Sequence, residues 1–324
     1  MKILNNIKEY QEYPAISYSK LSMCDRAPWE LNQEKLPPGP AMLFGSAVDV
    51  LLQPGNKFEE EFTVLDTVLP DKTTVLGKLI NVLWVMQDWS KESVEIALVS
   101  IGAKQMKIDK ALEEIEPWKI KFELLKQAKE TGKKIISSQQ ETEAIQVTNT
   151  LFSHPWCSHY FSDEKDTETI FQLPIVFQID EIWYKTLPDL IYIDHRKREI
   201  IPIDVKHTEK LWDFSKSWSE YRYDIQDTLH TIGSFYWASE KYPAYKVLPT
   251  EFLVCSKNSF GKILRFTTGE LNHFERYNNG WTNKFGRKFR SIAQLTDDLK
   301  WYEVNGYSEK RELVELKGLV KLEI

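Results

Sequence analysis

The feature that most constrains the fold is a dense set of short β-type segments ending in charge, followed at once by a helical apolar period. Residues 200–206 read IIPIDVK, an apolar strand that closes on Asp204 and Lys206. Ahead of it, 168–178 alternates and is β-branched, while 181–185 and 190–194 are short enough for strands of a folded-back sheet. Behind it, Trp218, Tyr221, Ile225, Leu229, Ile232 and Tyr236 recur at helical spacing, which predicts one long amphipathic helix. Residues 251–256 and 262–267 then read as a hairpin closed by 257–261. Strands and helices interleaved in this way predict an α/β (α+β) fold, a mixed central β-sheet flanked by helices.

The first half of the chain reads as mainly helical. Ser17 stands where a helix N-cap is expected, before Tyr18 to Leu21. A Pro-rich loop (Pro37, Pro38, Pro40) leads into 41–52, which is almost wholly apolar and is stopped by Pro54-Gly55. Further helices are expected near 77–89 and over 107–131. Another is expected over 137–153, where hydroxyls and Glu141 lie at the start and His154-Pro155 at the end. The expected organisation is one domain spanning 1–324, with a mainly helical region over 1–160, an α/β core over 161–270 and a carboxy-terminal extension over 271–324. That last segment is ambiguous between helix and strand.

If 195–198 is a four-residue turn, Asp194 pairs with Glu199. An antiparallel ladder then sets Ile193 against Ile200, Ile191 against Pro202, and Asp189 against Asp204. Lys206, two residues on, points to the same face. Two carboxylates facing each other across a sheet repel unless a cation lies between them. Oxygen donors of this kind suit magnesium, with manganese as the alternative. Such an ion can acidify a water and stabilise charge on a phosphate, and Lys206 can orient the water or neutralise the charge that develops. Asp-x-Lys alone is common on protein surfaces. The paired register and the apolar strand leading into it are what favour a site over a charged surface hairpin.

Pro188-Asp189 followed by Asp204-x-Lys206 at the end of an apolar strand resembles the PD-(D/E)XK nuclease superfamily, and within it the exodeoxyribonuclease VIII (RecE-type) phage and prophage exonucleases. Other segments fit the same order. Residues 16–21 with Ala27-Pro28 resemble the family's first helix motif, and 42–49 resemble its Phe-Gly-x-x-x-His helix. Residues 135–153 resemble the helix before the core, and Tyr223-x-x-Gln226 the motif after the lysine. The resemblance spans about 16–267. It implies a restriction-endonuclease-like core with an amino-terminal helical region, and magnesium-dependent hydrolysis of DNA. It further implies 5′-to-3′ degradation of linear duplex for recombination, a homo-oligomer threaded by DNA, and a single-strand annealing protein as partner. It assigns Gln226 to holding the catalytic lysine or a DNA phosphate. It also makes Asp49 a metal ligand where the family has His. Asp49 is the only charge within 41–52, so it needs a cation, a donor network or an exposed edge. His230 stands where the family often has Tyr, and Glu168 resembles a family acidic position. A solvated helix face and a strand-end surface residue are the plain alternatives.

Composition narrows the other possibilities. A net charge of -6 and a pI near 5.7 argue against broad electrostatic coating of nucleic acid, so DNA contact must come from local basic patches. Two exist, 195–198 (HRKR) and 284–290 (KFGRKFR); the second interleaves phenylalanine with cations. Three scattered cysteines (Cys24, Cys157, Cys255) are too few for a disulfide framework or a four-cysteine iron–sulfur cluster. The histidines have no zinc-protease spacing, and neither a P-loop nor a dinucleotide fingerprint occurs. Residues 1–14 carry no signal-peptide run and no stretch is apolar enough to span a bilayer, so a cytoplasmic location without membrane contact is expected. An endonuclease or single-strand nuclease of the same core remains open, as does a non-catalytic DNA-binding protein that kept the fold.

Overall fold

The computed structural model describes all residues except 35–36, 67–69, 163, 258, 260, 270–271 and 318–324. The chain forms two compact units, Met1–Pro37 with Asn149–Ile324, and Pro38–Thr148. The sequence boundaries at 160 and 270 are not where the chain divides. Leu21 and Cys24 from the amino-terminal part lie in one hydrophobic core with the strands, as do Tyr277, Ile292, Leu295, Leu299 and Tyr302. Residues 273–305 are thus part of the sheet unit's core rather than an appended extension.

The sheet unit is mixed α/β. Its main sheet is built from β1 (Thr167–Phe171), β4 (Leu190–Asp194), β5 (Glu199–Thr208), β6 (Glu251–Ser256) and β7 (Ile263–Phe266). These lie in the spatial order β7-β6-β5-β4-β1. Neighbours are antiparallel except β5 and β6, which run parallel. A second sheet holds Lys2–Ile3 beside β2 (Ile175–Ile179) and β3 (Ile182–Thr186). The β4–β5 register is the expected one: Asp194↔Glu199, Ile193↔Ile200 and Ile191↔Pro202, ending at Leu190↔Ile203. Asp194 fixes it, because its Oδ1 accepts from the backbone N–H groups of Arg196 and Lys197 at 3.0 Å each. Arg198 then takes a left-handed conformation at φ 56° to finish the turn. Pro202, with no N–H to give, sits inside β5 where its parallel partners change. Residues 199–200 pair with Lys246 and Val247, and pairing to β6 begins at Ile203.

Two predicted elements are divided in the structure. The strand expected over 168–178 becomes β1 and β2, in different sheets, because Gln172 turns to φ 46° ahead of Leu173-Pro174. The helix expected from Trp218 to Tyr236 becomes Phe214–Glu220 and α2 (Tyr223–Lys241), broken by Arg222 at φ 59°. A left-handed arginine is unfavourable in isolation. Here its guanidinium is held by both oxygens of Asp224 at 3.0 and 3.1 Å, by Asp25, and by the Arg290 carbonyl at 2.7 Å.

The amino-terminal helix α1 (Tyr18–Arg26) is capped by Ser17, as expected. It packs with α2 and with α4 (Ile292–Asn305), which follows α3 (His273–Asn279). The hairpin expected around 257–261 pairs β6 with β7, although 258 and 260 lie outside the described residues. Lys185 on β3 is only 8% exposed, and its ammonium is enclosed by the carbonyls of Tyr10, Gln11 and Tyr13 at 2.6, 3.0 and 2.8 Å.

The second unit is mostly helical: Pro40–Leu52, Val75–Met86, Lys91–Ser100, Ile108–Thr131 and the start of Ser138–Ser153. A parallel pair, Phe62–Val64 with Lys134–Ile136, accompanies them. Leu79, Ile80, Leu83, Val94, Ala97 and Ile115 form its core. The helix Lys91–Ser100 is not among the elements expected from sequence. Its signal is Asp88-x-Ser90, where Ser90 caps the Ser93 N–H at 3.2 Å and Asp88 accepts from both serine hydroxyls.

Candidate active site

Asp204 and Lys206 leave β5 on the same face, and α2 covers that face. Asp204 is 1% exposed, and its Oδ2 lies 2.5 Å from the Lys206 ammonium. Its Oδ1 accepts from Gln226 Nε2 at 2.6 Å and faces His230 Nε2 at 3.4 Å. Gln226 and His230 are one helical turn apart on α2, so a single helix face supplies both. On its other side the His230 ring meets Thr186 on β3, with Nδ1 2.5 Å from the hydroxyl. Asp189, one residue before β4, continues the ladder by side chain instead of by pairing. Its Oδ2 accepts from the Val205 N–H at 2.6 Å, which fixes it beside Asp204.

The electrostatics follow from burial and pairing. Burial opposes ionisation of Asp204, but the Lys206 ammonium and His230 outweigh it and hold the carboxyl below its usual range. Burial likewise works against the Lys206 cation, and the Asp204 and Asp189 carboxylates overcome it, raising its pKa. Lys206 is therefore an ammonium at neutral pH, a donor rather than a base. It rests over the Tyr223 ring, 5.0 Å from the centroid. His207 is pushed down to about 4 by burial, with Lys206 and Lys257 adding to it, so its imidazole is neutral at physiological pH.

The donor set suits a hard divalent ion. Asp189 is tied to the backbone next to Asp204, and the buried Oε1 of Gln226, whose Nε2 donates to Asp204, has no hydrogen-bond partner. No cluster of three His, Cys, Asp or Glu capable of holding a metal occurs among the described residues. The sheet unit would thus contribute two carboxylates and leave other positions to water or phosphate, a division magnesium accepts.

Of the residues singled out from sequence, Asp189, Asp204, Lys206 and Gln226 are brought together. Asp49 lies part-buried on the helix Pro40–Leu52, in the second unit. Glu168 is not at this site. It pairs with Ile193 in the ladder, and its carboxylate accepts from the Tyr242 hydroxyl at 3.0 Å. The turn arginine Arg196 lies against Glu164 and Asp166 at 3.8 and 3.7 Å. His230 contacts Asp204 directly; its position four residues after Gln226 is the signal the sequence offers. Thr186 has none, since only packing of the two sheets against α2 brings it to His230.

No family model matches this chain, and no curated protein matches it. Among solved structures, a "Putative exonuclease" from Eubacterium rectale is similar at 11% identity with a TM-score of 0.46, over 100% of this chain and 96% of that one. So remote a likeness assigns no activity. Among the described residues, no helix is long and apolar enough to cross a membrane.

Proposed function

We propose that this protein is a magnesium-dependent deoxyribonuclease that hydrolyses phosphodiester bonds at Asp189, Asp204 and Lys206. One observation carries the reading: two carboxylates and an ammonium converge on one end of β5, with Asp204 1% exposed and still ionised. Buried charge is costly, and a perturbed carboxylate paired with an ammonium is the kind of group that functional sites concentrate. When bound, magnesium would supply charge stabilisation at the scissile phosphate and acidify the attacking water. Asp189 and Asp204 would hold it, with manganese able to substitute. Lys206 orients the water and offsets charge on the phosphate. Gln226 and His230 position Asp204. The family resemblance supports the finer reading: exonucleolytic 5′-to-3′ degradation of linear duplex for recombination, by a homo-oligomer working with a single-strand annealing protein.

The test is end-labelled linear duplex incubated with magnesium or with chelator, alongside covalently closed circles. Cleavage of the linear form alone, abolished by chelator, is expected. Asp204→Ala and Lys206→Ala should each lower the rate by at least about a hundredfold while circular dichroism stays native. Full activity in both variants would remove the site assignment. Cutting of circles would turn the reading to an endonuclease.

A further inference from the structure

We propose that the cleft between the helix Phe214–Glu220 and the hairpin Trp281–Phe289 binds single-stranded DNA, with a base stacked on Phe285 and phosphates met by Lys216, Lys284 and Arg287. The choice of DNA rests on the deoxyribonuclease reading; the site itself rests on separate residues. The cleft is about 950 Å³, and Trp218, Trp281 and Phe285 line it together with those three cations. Glu220 is its one acidic lining residue. Phe285 is 82% exposed at the hairpin tip, with the Lys284 ammonium 5.1 Å from its ring centroid.

The tip is held in place. Asn283 Oδ1 accepts from the backbone N–H groups of Phe285 and Arg287 at 3.0 Å each, and Gly286 turns at φ 82°. Below it, Trp281 stacks on Phe289 with centroids 4.4 Å apart, and Arg287 lies over Phe289 at 4.9 Å. Gly280 is required at the base, since a Cβ there would come within 2.1 Å of the Phe289 carbonyl oxygen. The Phe285 ring is thus presented by a braced turn, a geometry that lowers the entropic cost of stacking.

The opposite wall is continuous with the proposed active site. Trp218 meets Phe252 edge-on at 5.1 Å, and Phe252 is the β6 residue in register with Asp204. Phe214 stacks on Tyr223 at 5.8 Å, the ring on which the Lys206 ammonium rests. An exposed ring edged with cations fits a nucleic-acid strand whose bases are free. In duplex the base faces are already stacked, so Phe285 discriminates in favour of a single strand.

The experiment measures anisotropy of a fluorescein-labelled oligothymidylate of ~12 nucleotides, a length within known single-strand site sizes. It uses the full chain in chelator, so that no cleavage occurs. Phe285→Ala should raise Kd about tenfold, the loss typical of one stacked base. Lys284→Ala with Arg287→Ala should flatten the salt dependence by about 1.4 in log–log slope, from two lost phosphate contacts. Unchanged Kd in Phe285→Ala, no binding by the parent chain, or equal binding of a polyglutamate of matched charge would each overturn the proposal. If the oligonucleotide binds through Phe285 while duplex is never cut with magnesium, the cleft stands and the nuclease reading falls. Cutting that depends on Asp204, with Phe285→Ala binding like the parent, removes the cleft and keeps the nuclease.

Discussion

At the scale of single residues, the molecule concentrates buried charge at places where partners surround it completely. Asp204 is one such place and Asp227 another. Asp227 is fully buried on α2, with Arg276 at 2.5 Å, His273 Nε2 at 3.2 Å and the Thr268 hydroxyl at 3.0 Å. Burial alone would raise its pKa; His273 and Arg276 outweigh that and lower it. Its stabilising effect is therefore complete above the unfolded-state value near ~3.9 and fades as acid carries the folded protein through its lower pKa. Asp227→Asn should cost about 3–5 kcal/mol at pH 7, measured by urea unfolding, because it strands Arg276 in the interior. The deficit should shrink below about pH 4. Sequence arithmetic reaches Asp189, Asp204 and Lys206 because a four-residue turn and period-two geometry relate them locally. Arg276 and His273 escape it, being joined to Asp227 only by the packing of α3 on α2, 46 or more residues along the chain.

At the scale of elements, helix and strand types are legible where apolar period and cap residues agree, as at Ser17 and over Ser138–Ser153, where Ser137 accepts from the Gln140 N–H. They are misjudged where a single left-handed residue interrupts an otherwise sustained period. Gln172 and Arg222 are not glycine or asparagine, so nothing local announces the break; their conformations depend on partners elsewhere. The packing of α2 on the second sheet turns on one residue. A Cβ at Gly233 would meet Thr186 Cγ2 at 2.6 Å and Phe177 Cε1 at 3.0 Å. Gly233→Ala should therefore destabilise by about 1–3 kcal/mol despite the better helix propensity of alanine, as thermal melts would register. Since Thr186 also meets His230, the displaced helix should loosen the site, and the rate of the proposed cleavage should fall with the melting temperature.

At the scale of the whole molecule, the two units have separate hydrophobic interiors, and the helical one has its own stability determinants. Leu83 is wholly buried there among Leu79, Ile80, Val94 and Ile115. Leu83→Ala should cost about 2–5 kcal/mol, and hydrogen exchange should speed up over Val75–Met86 and Ile108–Thr131. The enclosure of Lys185 has a consequence of a different kind. Three peptide oxygens from residues 10–13 surround its ammonium, and Lys2–Ile3 extends the same sheet along β2. A protease nick within the first dozen residues would strip that oxygen collar from a cation inside the sheet unit. Trimming the segment for crystallisation, or fusing a bulky tag against it, would act as a core lesion.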